Sequence, residues 1–132
     1  MSFLLDTNIV SAHFKRPTRL VHRFMQHSGQ MAIPTVVLGE LYDWAYRRND
    51  PTPILESIRL LIETIEVLDF DPECAEQFGR LRASLSQDGS RIDSIDLMIA
   101  SVALTHDLTL VTNNTVHFTP IRGLRLVDWL TP

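Results

Sequence analysis

Cysteine, lysine and long apolar runs are scarce in this chain, and each scarcity removes a class of protein. A single cysteine, Cys74, stands among 132 residues, so no intrachain disulfide framework can form. A reducing compartment, the cytoplasm, is the expectation. No apolar stretch approaches the ~20 residues that span a bilayer, so no membrane partner is expected. The opening residues MSFLLDTNIVS lack the basic start and long apolar core of a secretory signal, and they read as a first strand. Lysine occurs once, as Lys15; the other eleven of the twelve basic residues are arginine. The formal net charge of −4 argues against a general nucleic-acid binder, which is usually basic. Arginine, however, is the forked partner of phosphate and carboxylate, and it clusters at Arg16, Arg19 and Arg23, at Arg47 and Arg48, and at Arg80, Arg82 and Arg91. Solvated helix faces are the plain alternative for each cluster. An acidic total also arises when carboxylates are gathered at a metal site, where the cation reverses the local sign.

What is present is an ordinary globular composition, with 45% hydrophobic and 21% charged residues, no internal repeat and no linker. One domain over residues 1–132 is expected. Phe3-Leu4-Leu5 reads as a short buried strand ending in a turn at Asp6-Thr7-Asn8. Helices are expected from about Asn8 to Phe14 and from Arg19 to His27. A second strand follows over Gln30–Ile33, closed by Pro34. Thr35 is placed to cap a helix through Arg48, with Val37, Leu41, Trp44 and Ala45 on one face. A helix over Ile54–Ile65 leads to a third strand, Glu66–Phe70. Pro72 opens a helix to about Ser86, and Asp88-Gly89 ends it. Asp93 or Ser94 starts a nearly all-apolar helix to Thr105. Leu108–Thr112 is a fourth strand and Leu124–Val127 a possible fifth. Strands alternating with helices predict an α/β fold of three layers, α/β/α, around a mainly parallel sheet of four to five strands. In such sheets ligands bind beyond the carboxyl ends of the strands. That rule selects Asp6, Thr7 and Asn8 after the first strand, and Thr112, Asn113 and Asn114 after the fourth.

Three acids stand out against this pattern. Asp6 follows three apolar residues, where an unpaired charge is costly; it reads equally as an N-cap. Glu40 lies inside the third helix among Val36, Val37, Leu38 and Leu41; a surface pair with Arg47 or Arg48 is its plain reading, and Asp43 one turn on faces solvent. Asp96 interrupts the apolar run from Ile95 to Leu104. A helix apolar all round is buried, so an acid in its first turn needs a reason. Either it favours the helix dipole beside a capping Asp93, or it projects into a metal site. Oxygen ligands without a Cys/His cluster suit Mg²⁺ or Mn²⁺ rather than zinc. A metal held so can lower the pKa of water and neutralise phosphate, and hydrolysis of a phosphodiester is the chemistry implied. Thr112 and Asn114 add a hydroxyl and an amide; for Asn113, ordinary turn chemistry suffices.

Leu4-Leu5-Asp6-Thr7-Asn8-Ile9-Val10-Ser11 resembles the opening motif of PIN-domain toxins of the VapC type. So do Leu38-Gly39-Glu40-Leu41, the stretch Ile92–Ala100 with its Asp-Leu-Met-Ile-Ala core, Thr109–Asn114 followed by His117-Phe118, and the ending from Gly123-Leu124 to Asp128-Trp129. Five motifs in register make the resemblance specific where each alone is weak. It implies a toxin ribonuclease that cleaves RNA with Mg²⁺ or Mn²⁺, forms a homodimer and is neutralised by a small antitoxin protein. Asp6, Glu40 and Asp96 match the family's metal-site acids, Thr112 and Asn114 its supporting polar residues, and Asn8 a residue that orders the first acid. The departure is His117, which stands where many members carry a fourth acid. It leaves open a second metal, and also a non-catalytic PIN-like module that binds RNA or protein. A receiver domain or a haloacid-dehalogenase-type phosphatase is disfavoured, because each needs a phosphate-contacting lysine from a later strand, and Lys15 lies too early. The aromatic and apolar residues Phe14, Phe24, Met25, Tyr42, Trp44 and Tyr46 offer surplus surface to a partner, with their helices expected to border the acidic site.

Overall fold

The computed structural model describes residues 2–131; the domain bounds expected at Met1 and Pro132 lie outside the described residues. In chain order the elements are β1 (Phe3–Leu5), α1 (Thr7–Phe14), α2 (Thr18–Gln26), β2 (Met31–Pro34), α3 (Thr35–Tyr46), α4 (Thr52–Thr64), β3 (Glu66–Leu68), α5 (Pro72–Gln87), α6 (Ser94–Thr105), β4 (Thr109–Val111), α7 (Thr115–Phe118) and β5 (Leu126–Val127). The five strands form one sheet in the order β3-β2-β1-β4-β5, and all four pairings are parallel. Successive residues of a strand point to opposite faces. Leu4 and Leu5, Ala32 and Ile33, and Leu110 and Val111 are all fully buried, so helices cover both faces of the three central strands. The expected three-layer α/β fold is the one adopted.

Local chemistry explains most element boundaries. Asp6, Asp71 and Asp93 each cap a helix by accepting a backbone N–H, from Ile9, Cys74 and Ile95 respectively. Pro72 occupies the first turn of α5, where its missing N–H costs nothing. Past Gln87 the chain turns through Gly89 at φ +74°, a conformation that favours glycine. In α6, Leu97 and every residue from Ile99 to Ala103 is buried, and Ser101 satisfies its hydroxyl on the Leu97 carbonyl. Trp129, also buried, packs against Phe3 of β1 and stacks on His27, which ties the end of the chain to the central strand.

The structure departs from expectation at several edges. Thr35 is the first residue of α3, not its cap; the cap position is Pro34, with no side-chain hydrogen bond, because the helix leaves directly from the strand. Helix α1 begins at Thr7, one residue early, since Asp6 caps it. Helix α3 ends at Tyr46 rather than Arg48, and β3 and β5 are shorter than expected. The short α7 has no counterpart in the expected elements, because four residues carry no periodic signal. Among the described residues no helix is long and apolar enough to cross a membrane.

Candidate active site

The strand order fixes where a site can form. From β1 the chain winds outward to β2 and β3, then returns to place β4 on the other side of β1. The carboxyl ends of β1 and β4 therefore form the point where the winding reverses, the usual crevice for ligands in open α/β sheets. Leu5 pairs with Val111, so Asp6 and Thr112 are the next residues beyond the paired strands. Asp6 still donates its N–H to the Val111 carbonyl at 3.2 Å, and Thr112 donates to Val127 at 3.0 Å.

Asp6 is 6% exposed and Thr112 fully buried. The Asp6 carboxylate accepts the Ile9 N–H at 3.0 Å and the Thr112 hydroxyl. Thr112 in turn accepts the Asn114 N–H at 3.0 Å. Asp6 is thus both a helix cap and a member of an acidic group. Burial pushes its carboxyl above the ordinary aspartate range, and the charges of Asp96 and Glu40 push the same way, against the two hydrogen bonds. Glu40, in the second turn of α3, accepts the hydroxyl of Thr7. Its surface pairing with Arg47 does not occur: Arg47 binds Asp43, and both are solvent-exposed. Asp96 lies in the first turn of α6, with about a third of its side chain exposed. Burial and the neighbouring Asp93 raise its carboxyl, while His117 opposes them. His117 Nδ1 stands 3.8 Å from Asp96 Oδ2.

The sheet crossing therefore brings together Asp6, Glu40, Asp96 and Thr112, with Asn114 beside Thr112. It does not bring in Asn8, whose side chain is exposed. The ordering of Asp6 expected from Asn8 comes instead from Ile9 and Thr112. Asn113 is exposed, in keeping with a turn. Sequence reasoning placed Thr7 at the sheet edge without giving it a role, because its partner is 33 residues away.

The donor set suits a hard divalent cation. The charges of Asp96 and Glu40 both act against ionised Asp6, and a bound cation would relieve both at once. The three acids do not gather their oxygens within 4.8 Å of one another; the group that does so among the described residues is Asp71, Cys74 and His106. Wide spacing matches magnesium, which keeps several of its waters and takes only one or two carboxylates directly.

The profile of the PIN domain family matches residues 3–121. The chain belongs to the PIN-domain family. It is 38% identical over 130 residues to the tRNA(fMet)-specific endonuclease VapC of Shigella flexneri, covering 98% of each chain. It is 34% identical to ribonuclease VapC2 of Haemophilus influenzae, covering 98% of this chain and 99% of the relative. It superposes with a TM-score of 0.94 on a crystal structure of DNA-bound VapBC from Salmonella typhimurium, at 35% identity and 98% coverage of each chain.

In this PIN domain six of the eleven arginines fall into two groups. Arg47, Arg59, Arg80 and Arg125 pair with exposed acids, the plain reading of a solvated surface. Arg82 and Arg91 instead line a cavity of about 450 Å³ between the end of α5 and the start of α6, which also touches Leu97, the neighbour of Asp96. A second groove, about 440 Å³, runs between α2 and α4 along Phe24, Met25, Leu60 and Leu61. None of the three acids lines it, so the expectation that the apolar helices border the acidic site is revised for α2, with Phe24 and Met25; α3, with Tyr42, Trp44 and Tyr46, carries Glu40 itself. Met25 is 71% and Tyr46 66% exposed, whereas Phe24 is buried in the core.

Proposed function

We propose that this PIN domain is a divalent-metal-dependent endoribonuclease and the toxin of a toxin–antitoxin pair, acting through Asp6, Glu40 and Asp96 on Mg²⁺ or Mn²⁺. The observation that carries the reading is the buried Asp6 carboxylate, on which the charges of two further acids, Asp96 and Glu40, act. When bound, the ion neutralises phosphate charge and acidifies water. The residues do the rest. Asp6, locked by Ile9 and Thr112, gives the site one fixed oxygen. Glu40, held by Thr7, and Asp96 supply the remaining negative charge from two other elements. Asn114 keeps Thr112 oriented through its N–H. Water adds to phosphorus, the bond to the 3′ oxygen breaks, and the proton lost by water ends on that oxygen. Arg82 and Arg91 are placed to receive a neighbouring phosphate of the RNA, as forked donors.

The partner follows from the relatives, one of which is solved as a VapBC complex. The apolar groove between α2 and α4 suits an amphipathic segment of a small antitoxin. A homodimer, and one PIN domain for the whole chain, complete the proposal. His117, in the place of a fourth acid, favours a second reading: a PIN-like module that binds RNA without cutting it.

One experiment separates the two. Purified protein is incubated with structured RNA and Mg²⁺ or Mn²⁺. The expected result is cleavage that EDTA stops, leaving 5′-phosphate and 3′-hydroxyl ends, and a loss of at least about a hundredfold in Asp96→Asn with its fold intact. Ends carrying 2′,3′-cyclic phosphate would reject the mechanism, since they require attack by the RNA's own hydroxyl. RNA binding without cleavage would select the second reading.

A further inference from the structure

We infer that Asp71, Cys74 and His106 form a second metal site, chemically unlike the acidic one, for a thiophilic divalent ion such as zinc. The site is assembled where α5 begins and α6 ends. Asp71 caps α5, and its Oδ1 accepts the Cys74 N–H at 3.0 Å. Cys74, three residues on, lies in the same first turn, and its sulfur is buried against the Asp69 carbonyl. His106 is the C-cap of α6 and is exposed. One ligand atom from each residue lies within 4.8 Å of the other two. Carboxylate, thiol and imidazole are the donors zinc takes, and three protein ligands leave a fourth position for water.

A helix cap beside a histidine would explain Asp71 and His106 without any metal. It leaves Thr105 unexplained. The Thr105 hydroxyl oxygen is buried and has no hydrogen-bond partner among the described residues, although buried polar groups are seldom left so. Its reach is to Cys74. A protonated thiol is a poor acceptor, whereas a metal-bound thiolate is a good one, and such outer contacts orient and tune metal ligands. Burial holds the Cys74 thiol above its ordinary range, so the ion must displace its proton. On binding, the S–H bond breaks, the sulfur joins the metal, and the proton leaves to solvent with no change of oxidation state. The site would pin the start of α5 to the end of α6. From Asp96 to His106 is ten residues of helix, about 15 Å, so the two sites do not share an ion.

Cobalt reports on this directly, because only a thiolate gives Co²⁺ an intense near-ultraviolet charge-transfer band; oxygen ligands do not. The reduced full chain is titrated with Co²⁺ in excess Mg²⁺. The expected result is a band that saturates at one equivalent, is displaced by Zn²⁺, disappears in Cys74→Ser and persists in Asp96→Asn. His106 is exposed, so His106→Ala tests the site even where Cys74→Ser fails to fold. It should weaken Co²⁺ binding about tenfold or more. No band in the reduced wild-type protein, or a band whose midpoint is unmoved by His106→Ala, would overturn the inference.

Discussion

Asp6 carries two demands on one carboxylate. As a cap it needs only an acceptor oxygen for the Ile9 N–H; as the metal ligand proposed above it needs its charge. Asp6→Asn separates these, since the amide keeps the acceptor and drops the charge. Because burial and two neighbouring acids raise the folded-state pKa, the native state holds this proton to higher pH than the unfolded chain. Stability from that source is full below the ordinary value of 3.8 and is lost as pH rises through the raised folded value. In EDTA at pH 7, Asp6→Asn should therefore melt higher than wild type, by about 4 °C for each kcal/mol recovered, and the gain should vanish at pH 3. Mg²⁺ should raise the melting temperature of the wild type and not of the variant. A variant that melts lower at pH 7 would mean the cap outweighs the buried charge. Asp6 and Thr112 were legible as candidate site residues because each follows an apolar strand, and Asp96 because it interrupts an apolar helix. The hydrogen bond from Thr7 to Glu40 was not, because nothing local ties the first strand's turn to a helix face 33 residues on. Asp71, Cys74 and His106 escaped for the same reason: a cap, a buried thiol and a helix end become neighbours only when α5 meets α6.

At the scale of elements, α1 and α2 are joined through His13. Its ring stacks on Phe24 of α2, with centroids 3.7 Å apart and planes within 8°, and its Nε2 lies 3.2 Å from Arg16 Nη1. Burial, followed by the charge of Arg16, lowers its pKa from 6.5 to about 4. The unfolded chain thus takes up a proton between pH 6.5 and 4 that the folded chain refuses. Stability from this group is complete above 6.5 and declines as pH falls toward 4, by at most about 3 kcal/mol. His13→Phe, which keeps the stack, should flatten the stability–pH curve across that window in urea melts. An unchanged slope would show that His13 titrates normally in the fold. The long elements were readable because their chemistry is local: the apolar run and Asp93 cap of α6 and the opening Pro72 of α5 need no distant partner. Two helix starts, the misplaced one of α3 and that of α7, for which no element was expected, lie where the chain leaves a strand or its turn with no side-chain cap.

For the whole molecule, acids and apolar groove lie apart, so activity and partner binding should be separable by mutation. Met25→Asp places a charge on an exposed position in the groove. It should weaken antitoxin capture in a pull-down by about tenfold or more, the cost of stranding one charge against apolar surface, while RNA cleavage stays at the wild-type rate. Asp6→Asn should do the opposite, abolishing growth inhibition on expression and keeping the partner. Loss of the partner in Asp6→Asn would place the interface on the acids and reject the groove. The sequence's alternation of strands and helices announced the layers but not the order of strands, which rests on pairings between segments as far apart as Phe3 and Thr109. That same pairing has a consequence for synthesis. Asp6 and Glu40 are made early, but the strand that brings Thr112 against Asp6 comes last but one. At about 5–20 residues per second, the stretch from residue 40 to residue 112 takes roughly 4–14 s to translate. A growing chain cannot complete the acidic site in that interval, so the ribosome making this protein is exposed to no finished nuclease until β4 has been released.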